Sequence, residues 1–153
     1  VNDAPILDRI QADMAAAMKS RDADTLSTLR MLKAALMEAK TRKAKDETLG
    51  RDEEIEVLQR YAKKRRESIE ELKKLGMEDR VPREEQEIEV TRRYLPESLS
   101  DAELMAVVRE AIAATGAAGP KDMGKVIGAV MGKVKGRADG SVVSRLVKQA
   151  LAG

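Results

Sequence analysis

Apolar residues recur at steps of three and four along almost the whole chain, the period of amphipathic helices, and no β-branched alternating run interrupts them. Ile6, Leu7, Ile10, Met14, Ala17 and Met18 predict a first helix over residues 5–20. Asp22 or Asp24 caps a second, which buries Leu26, Leu29, Leu32, Leu36 and Met37 and ends in the basic stretch 40–45. After a connector at 46–50, a third helix runs over 51–75 to Gly76. Its seam is Ile55, Leu58, Ala62, Ile69 and Leu72, with Arg65 standing where an apolar residue is expected. A fourth helix over 83–94 returns with Ile88 and Leu95 inward, which makes a long helical hairpin. Pro96 ends it, since the residue before a proline disfavours helix.

Ser100-Asp-Ala-Glu103 has the form of a capping box, followed by Leu104, Val107, Val108 and Ile112. Pro120 fits the first position of a sixth helix, whose inner face is Met123, Val126, Ile127, Val130, Met131 and Val134. Asp139 caps a seventh over 140–151, burying Val142, Val143, Leu146, Val147 and Leu151. The expected fold is all-α. An N-terminal helical domain of about four helices, residues 1–95, precedes a small three-helix domain, residues 96–153, with Pro96 as the boundary.

Composition sharpens this picture. Charged residues make up 37% of the 153 and aromatics 1%, with no Phe, Trp, His or Cys. The core must therefore come from Leu, Ile, Val, Ala and eight Met, which suits helices better than sheets. The missing cysteines exclude disulfides and fit a cytoplasmic protein. Asp8, Arg9 and Asp13 break the first apolar run, so no signal peptide is expected, and no run is long enough to span a membrane.

Net charge is only +2, but it is unevenly placed. Residues 96–119 carry Arg109 against Glu97, Asp101, Glu103 and Glu110. From Pro120 onward, Lys121, Lys125, Lys133, Lys135, Arg137, Arg145 and Lys148 face only Asp122 and Asp139. Such a segment points to a phosphate-bearing partner. Lys133, Lys135 and Arg137 lie in and beside a turn that also holds Gly136 and Gly140, where an anionic backbone can come close. Gly124, Gly128 and Gly132 recur at steps of four, and Gly136 continues the step. A helix-interior glycine costs about 0.5–1 kcal/mol relative to alanine, so the stripe needs an offsetting gain. Helix–helix packing is the simpler source, and close approach of a ligand the other.

Chemistry is harder to find. Without His or Cys there is no ready acid–base pair or thiol nucleophile, and no phosphate-binding loop motif occurs. Asp52-Glu-Glu54 and Glu84-Glu-Gln-Glu87 read as ordinary helix N-terminal acids, and the stretch 63–66 as a solvated face. Ser141 and Ser144 have no base at an activating spacing. No catalytic residue, metal site or cofactor is assigned.

Three stretches carry a recognisable pattern: Tyr94-Leu-Pro-Glu-Ser-Leu-Ser-Asp-Ala-Glu-Leu104, Asp122-Met-Gly-Lys-Val-Ile-Gly-Ala-Val-Met131, and Lys135-Gly-Arg-Ala-Asp139 with Val143 and Leu146 following. With Ala17-Met-Lys19 and Leu26-Ser-Thr-Leu-Arg-Met-Leu-Lys33, they resemble the GatB/YqeY family over essentially the whole chain. Gly132 departs from the proline common in free-standing members. The resemblance implies an all-helical two-part fold related to the tail of the aspartyl/glutamyl-tRNA amidotransferase B subunit, where that tail helps hold tRNA. The cradle and amidase parts that carry the chemistry there have no counterpart here. The family label of glutamine-dependent carbon–nitrogen ligase, with glutamine as amido-N-donor, is thus inherited from the multisubunit enzyme.

Two function classes follow. One is a binding module for tRNA or other structured RNA. With only Tyr61 and Tyr94 for stacking, it would work through phosphates and shape. The other is an adapter docking on an amidotransferase or a translation-related protein. A self-contained amidotransferase is the third reading.

Overall fold

The computed structural model describes residues 3–152, which form seven α-helices and no strand. The chain packs as two units, Val1–Leu95 and Pro96–Gly153.

The first unit holds α1 (Ile6–Ser20), α2 (Ala23–Thr41), α3 (Arg51–Lys74) and α4 (Val81–Arg92). Helices α1 and α2 pair, α3 and α4 pair, and α2 touches both members of the second pair. Ile6, Ile10, Leu29, Leu32, Leu36 and Leu58 are fully buried between them. Local signals set most boundaries. Asp22 caps α2 by accepting the Thr25 amide at 3.2 Å, and the Thr25 side chain foremost, with that amide second, lowers the Asp22 pKa. Gly76, at φ 70°, closes α3 in a Schellman turn, with the Met77 amide donating to the Leu72 carbonyl at 2.8 Å. Glu53 accepts the Gly50 amide at 3.0 Å and Lys43 at 2.6 Å, which tie the connector to α3 and lower its pKa, Lys43 foremost.

Three side chains depart from the sequence reading. Glu54 is not an ordinary acid at a helix start. It is 3% exposed, and its two oxygens accept the amides of Ile6 at 3.1 Å and Leu7 at 2.9 Å. Pro5, the N-cap of α1, offers no side-chain bond, so a carboxylate 48 residues away supplies the cap. Glu84 and Glu87 are likewise not helix-end acids alone. They lie 3.4 Å and 3.7 Å from the Arg65 guanidinium, which also stacks over the Tyr61 ring at 4.7 Å. The residue that interrupted the α3 seam is therefore the charged link between the two arms of the hairpin. Arg65 Nε and Glu84 Oε2 are buried without a hydrogen-bond partner, so that contact is electrostatic only.

Helix α4 also begins earlier and faces differently than expected. A 3₁₀ turn, Glu78–Arg80, leads straight into Val81, and Pro82 sits in the first helical turn, where its missing N–H is no loss. Its buried positions are Val81, Glu87, Val90 and Thr91, whereas Ile88 is only partly buried. The polar members are satisfied: the Thr91 hydroxyl donates to the Glu87 carbonyl at 2.7 Å, and the Tyr61 hydroxyl to the Glu87 carboxylate at 3.4 Å. Tyr94 is buried just beyond, donating to Asp13 under the Arg9 guanidinium. Burial, with the Asp13 carboxylate second, pushes its hydroxyl far above the ordinary tyrosine pKa. Burial and then Glu87 also raise the pKa of Tyr61.

The second unit holds α5 (Asp101–Thr115), α6 (Met123–Val134) and α7 (Gly140–Ala152), each packed against the other two. Its core is rich in valine: Val108, Val126, Val130, Val143 and Val147 are buried with Leu104. Ser100 caps α5 by accepting the Glu103 amide at 3.1 Å, and Gly116, at φ 68°, ends it.

Candidate nucleic-acid interface

Helix α6 does not start on Pro120. Pro120–Asp122 forms a 3₁₀ turn, and Asp122 accepts the Ala118 amide at 3.0 Å before α6 begins at Met123. The expected apolar face holds: Val126, Val130 and Val134 are buried, and Met123, Ile127 and Met131 pack beside them.

The glycine stripe lies on the other side. Gly124, Gly128 and Gly132 are exposed, and a Cβ built on any of them meets nothing within 4 Å. Helix packing inside the unit therefore does not explain them, which corrects the simpler reading of the spacing. Nothing packs over these three positions, so the α6 backbone is open there. Beyond it, Lys135 at φ 28° and Gly136 at φ 85° break the helix. Glycine is the residue that adopts such a φ without a Cβ clash. Gly140 is exposed and open where α7 starts.

The seven cations are exposed, but they are not equivalent. Lys133 lies 3.9 Å from Glu110, and Arg145 lies 3.2 Å from Asp101. Lys125 donates to the Thr115 carbonyl at 3.3 Å. Arg137 donates from Nε to the Glu97 carbonyl at 3.0 Å, while its own carbonyl accepts the Leu99 amide at 2.9 Å. Among the described residues, Lys121 and Lys148 carry no ion pair.

The acids of 96–119 thus fold against the basic segment and partly neutralise it. The signal for this was in the sequence, as an acidic stretch immediately before a basic one. Both ion pairs are more than half exposed, a setting in which such pairs contribute about 0–1 kcal/mol and exchange readily for another anion.

Asp139 caps α7 as expected. Its Oδ1 accepts the Ser141 amide at 2.8 Å and the Ser141 hydroxyl at 2.6 Å. A carboxylate does therefore meet Ser141, unlike in the sequence reading, but it is held as a helix cap. The same oxygen occupies the Ser141 amide, and the Asp139 carbonyl accepts those of Val142 and Val143, so an incoming anion would meet the turn and the α6 face instead. Among the described residues no group of three or more His, Cys, Asp or Glu is placed to hold a metal ion, and no helix is long and apolar enough to cross a membrane.

A family model described as Yqey-like protein matches residues 7–151, nearly the whole chain. No curated protein matches the sequence.

Proposed function

The chain belongs to the YqeY family, and on that premise we propose that it is a helical module, like the tail of the amidotransferase B subunit, that binds tRNA or other structured RNA. The carrying observation is the open glycine ridge of α6. The mid-helix Gly128 costs the helix roughly 0.5–1 kcal/mol relative to alanine, Gly124 and Gly132 in the end turns add less, and nothing packed on the three positions offsets it. A partner that approaches the backbone closely would. Lys121 and Lys125 lie at the start of this ridge and Lys133, Lys135 and Arg137 at its end, so a polyanion fits better than an apolar surface.

Recognition would rest on phosphates and shape, because Tyr61 and Tyr94 are 8% and 4% exposed and offer no face for stacking. The module is proposed to act by binding, with residues 1–95 and 96–153 as separate domains. Amidation chemistry would belong to a partner enzyme in the cytoplasm.

A protein adapter is the second reading. It is favoured by the internal engagement of Lys133, Arg137 and Arg145, which leaves less free charge for RNA. Titration of a tRNA at several salt concentrations separates the two. The variant K133A/K135A/R137A, checked for retained helicity, weakens RNA binding. It also lowers the slope of log K against log salt by roughly 0.7–0.9 per lost contact. Unchanged affinity and slope would leave the adapter reading ahead.

A further inference from the structure

A second basic feature lies in the first unit, in an open groove of about 160 Å³ between α2 and α3. Its floor is made of small side chains, Ala35, Ala39 and Val57, and its rims carry Arg42, Arg60 and Lys64 against the single carboxylate of Glu38. On each wall the lining residues are spaced i, i+3, i+4, i+7, so the rims extend over about two helical turns, roughly 10 Å. The low floor lets an extended backbone lie between the charged rims.

The rim charges are available. Arg42 pairs with Glu38 at 2.9 Å and Arg60 with Glu56 at 2.6 Å, but all four side chains are about two-thirds exposed. Such i,i+4 surface pairs are weak and exchange for a better anion. Lys64 carries no ion pair among the described residues. Tyr61 also lines the groove, yet its ring lies under Arg65 and its hydroxyl points to Glu87, so it presents no platform for a base. The stretch 63–66 is therefore not one solvated face: Lys64 lines the groove, while Arg65 turns into the hairpin.

We infer that this groove binds the phosphate backbone of an RNA strand, as a contact separate from the C-terminal turn. Cations exceed carboxylates three to one along the lining, which favours a polyanionic backbone over the apolar face of a partner helix. The inference rests on the RNA-binding reading and extends it to the other unit.

Titration of a tRNA transcript against the full chain tests it, with wild type, R42Q/R60Q/K64Q, E38Q and K133A/K135A/R137A side by side. The groove triple lowers the salt slope by roughly 2–3 and weakens binding. E38Q strengthens binding by roughly 1.5- to 5-fold, the effect of removing one exposed opposing charge, and a misfolded variant cannot mimic that gain. If both groove variants match wild type while the C-terminal triple is weakened, the groove inference is overturned and the function stands. Retention of a polyglutamate peptide, lost in the groove triple with RNA binding unchanged, would assign the groove to an acidic protein and overturn it equally. A wild type that does not bind the transcript overturns both.

Discussion

Replacing Glu54 with Ala would remove the side-chain cap at the start of α1, supplied by a residue on a different helix. Two amides, those of Ile6 and Leu7, lose their acceptor at a place where Glu54 is 3% exposed. A hydrogen bond to a charged group contributes about 1.5–3 kcal/mol, so the two bonds set an upper range of about 3–6 kcal/mol. Water reaching the Leu7 amide, which is only part-buried, brings the expected loss down to about 3 kcal/mol.

That loss is a large share of the 5–15 kcal/mol typical of a domain and corresponds to a fall in Tm of roughly 12–24 °C. E54Q keeps one acceptor oxygen and turns an NH₂ group towards the other amide, so it falls between E54A and wild type. Urea unfolding followed by helical circular dichroism measures each, with E56A as the control. Glu56 is on the same helix, exposed, and paired only with Arg60 at i,i+4, so its loss costs about 0.2–0.5 kcal/mol. If E54A and E56A differ by less than about 0.5 kcal/mol, the tertiary cap is not stabilising α1 and the reasoning fails.

Three further outcomes are expected. R65M leaves Glu84 and Glu87 without their shared counter-charge and destabilises the hairpin by about 1–3 kcal/mol, less than a fully buried pair because Arg65 is a quarter exposed; adding E84Q and E87Q recovers part of this in the same unfolding assay, and no recovery would discount the electrostatic account. The raised Tyr94 pKa means the folded state holds its proton more tightly, so the stability it confers is complete below the ordinary value of 10.0 and lost as pH rises beyond it. Y94F accordingly shows a shallower alkaline decline than wild type, and parallel curves would contradict the assignment. Residues 97–153 alone stay helical and unfold cooperatively, if weakly, as proposed for a domain with its own valine core; a random-coil spectrum would make the two units interdependent.

What the sequence disclosed was mainly what is local. Asp22, Ser100 and Asp139 cap the helices they precede because a cap bonds amides two or three residues away. The apolar face of α6 was legible for the same reason, since period alone places Val126, Val130 and Val134 together. Long-range pairings were not legible. Glu54 stood in an acidic helix start, and nothing nearby showed that its partners lie 48 residues earlier. Arg65 was visible as an interruption, but Glu84 and Glu87 could be matched to it only once α4 was in place. On α4 the apolar rule chose Ile88, while the fold buries Glu87 and Thr91, whose polar groups bond within the hairpin. The glycine spacing was plain, but spacing cannot say whether a neighbour is present, and here the α6 face is open.

That open face gives the most direct test of an RNA-binding function. In G124A/G128A/G132A every added methyl group has room, and alanine is the better helix former, so the variant should be more stable by roughly 0.5–2 kcal/mol, most of it from mid-helix position 128. If the ridge is where the RNA backbone approaches, the same methyl groups hold it away, and tRNA titration finds a more stable protein that binds at least tenfold more weakly. A more stable protein that binds tRNA as tightly as wild type would contradict the proposed function at its central point.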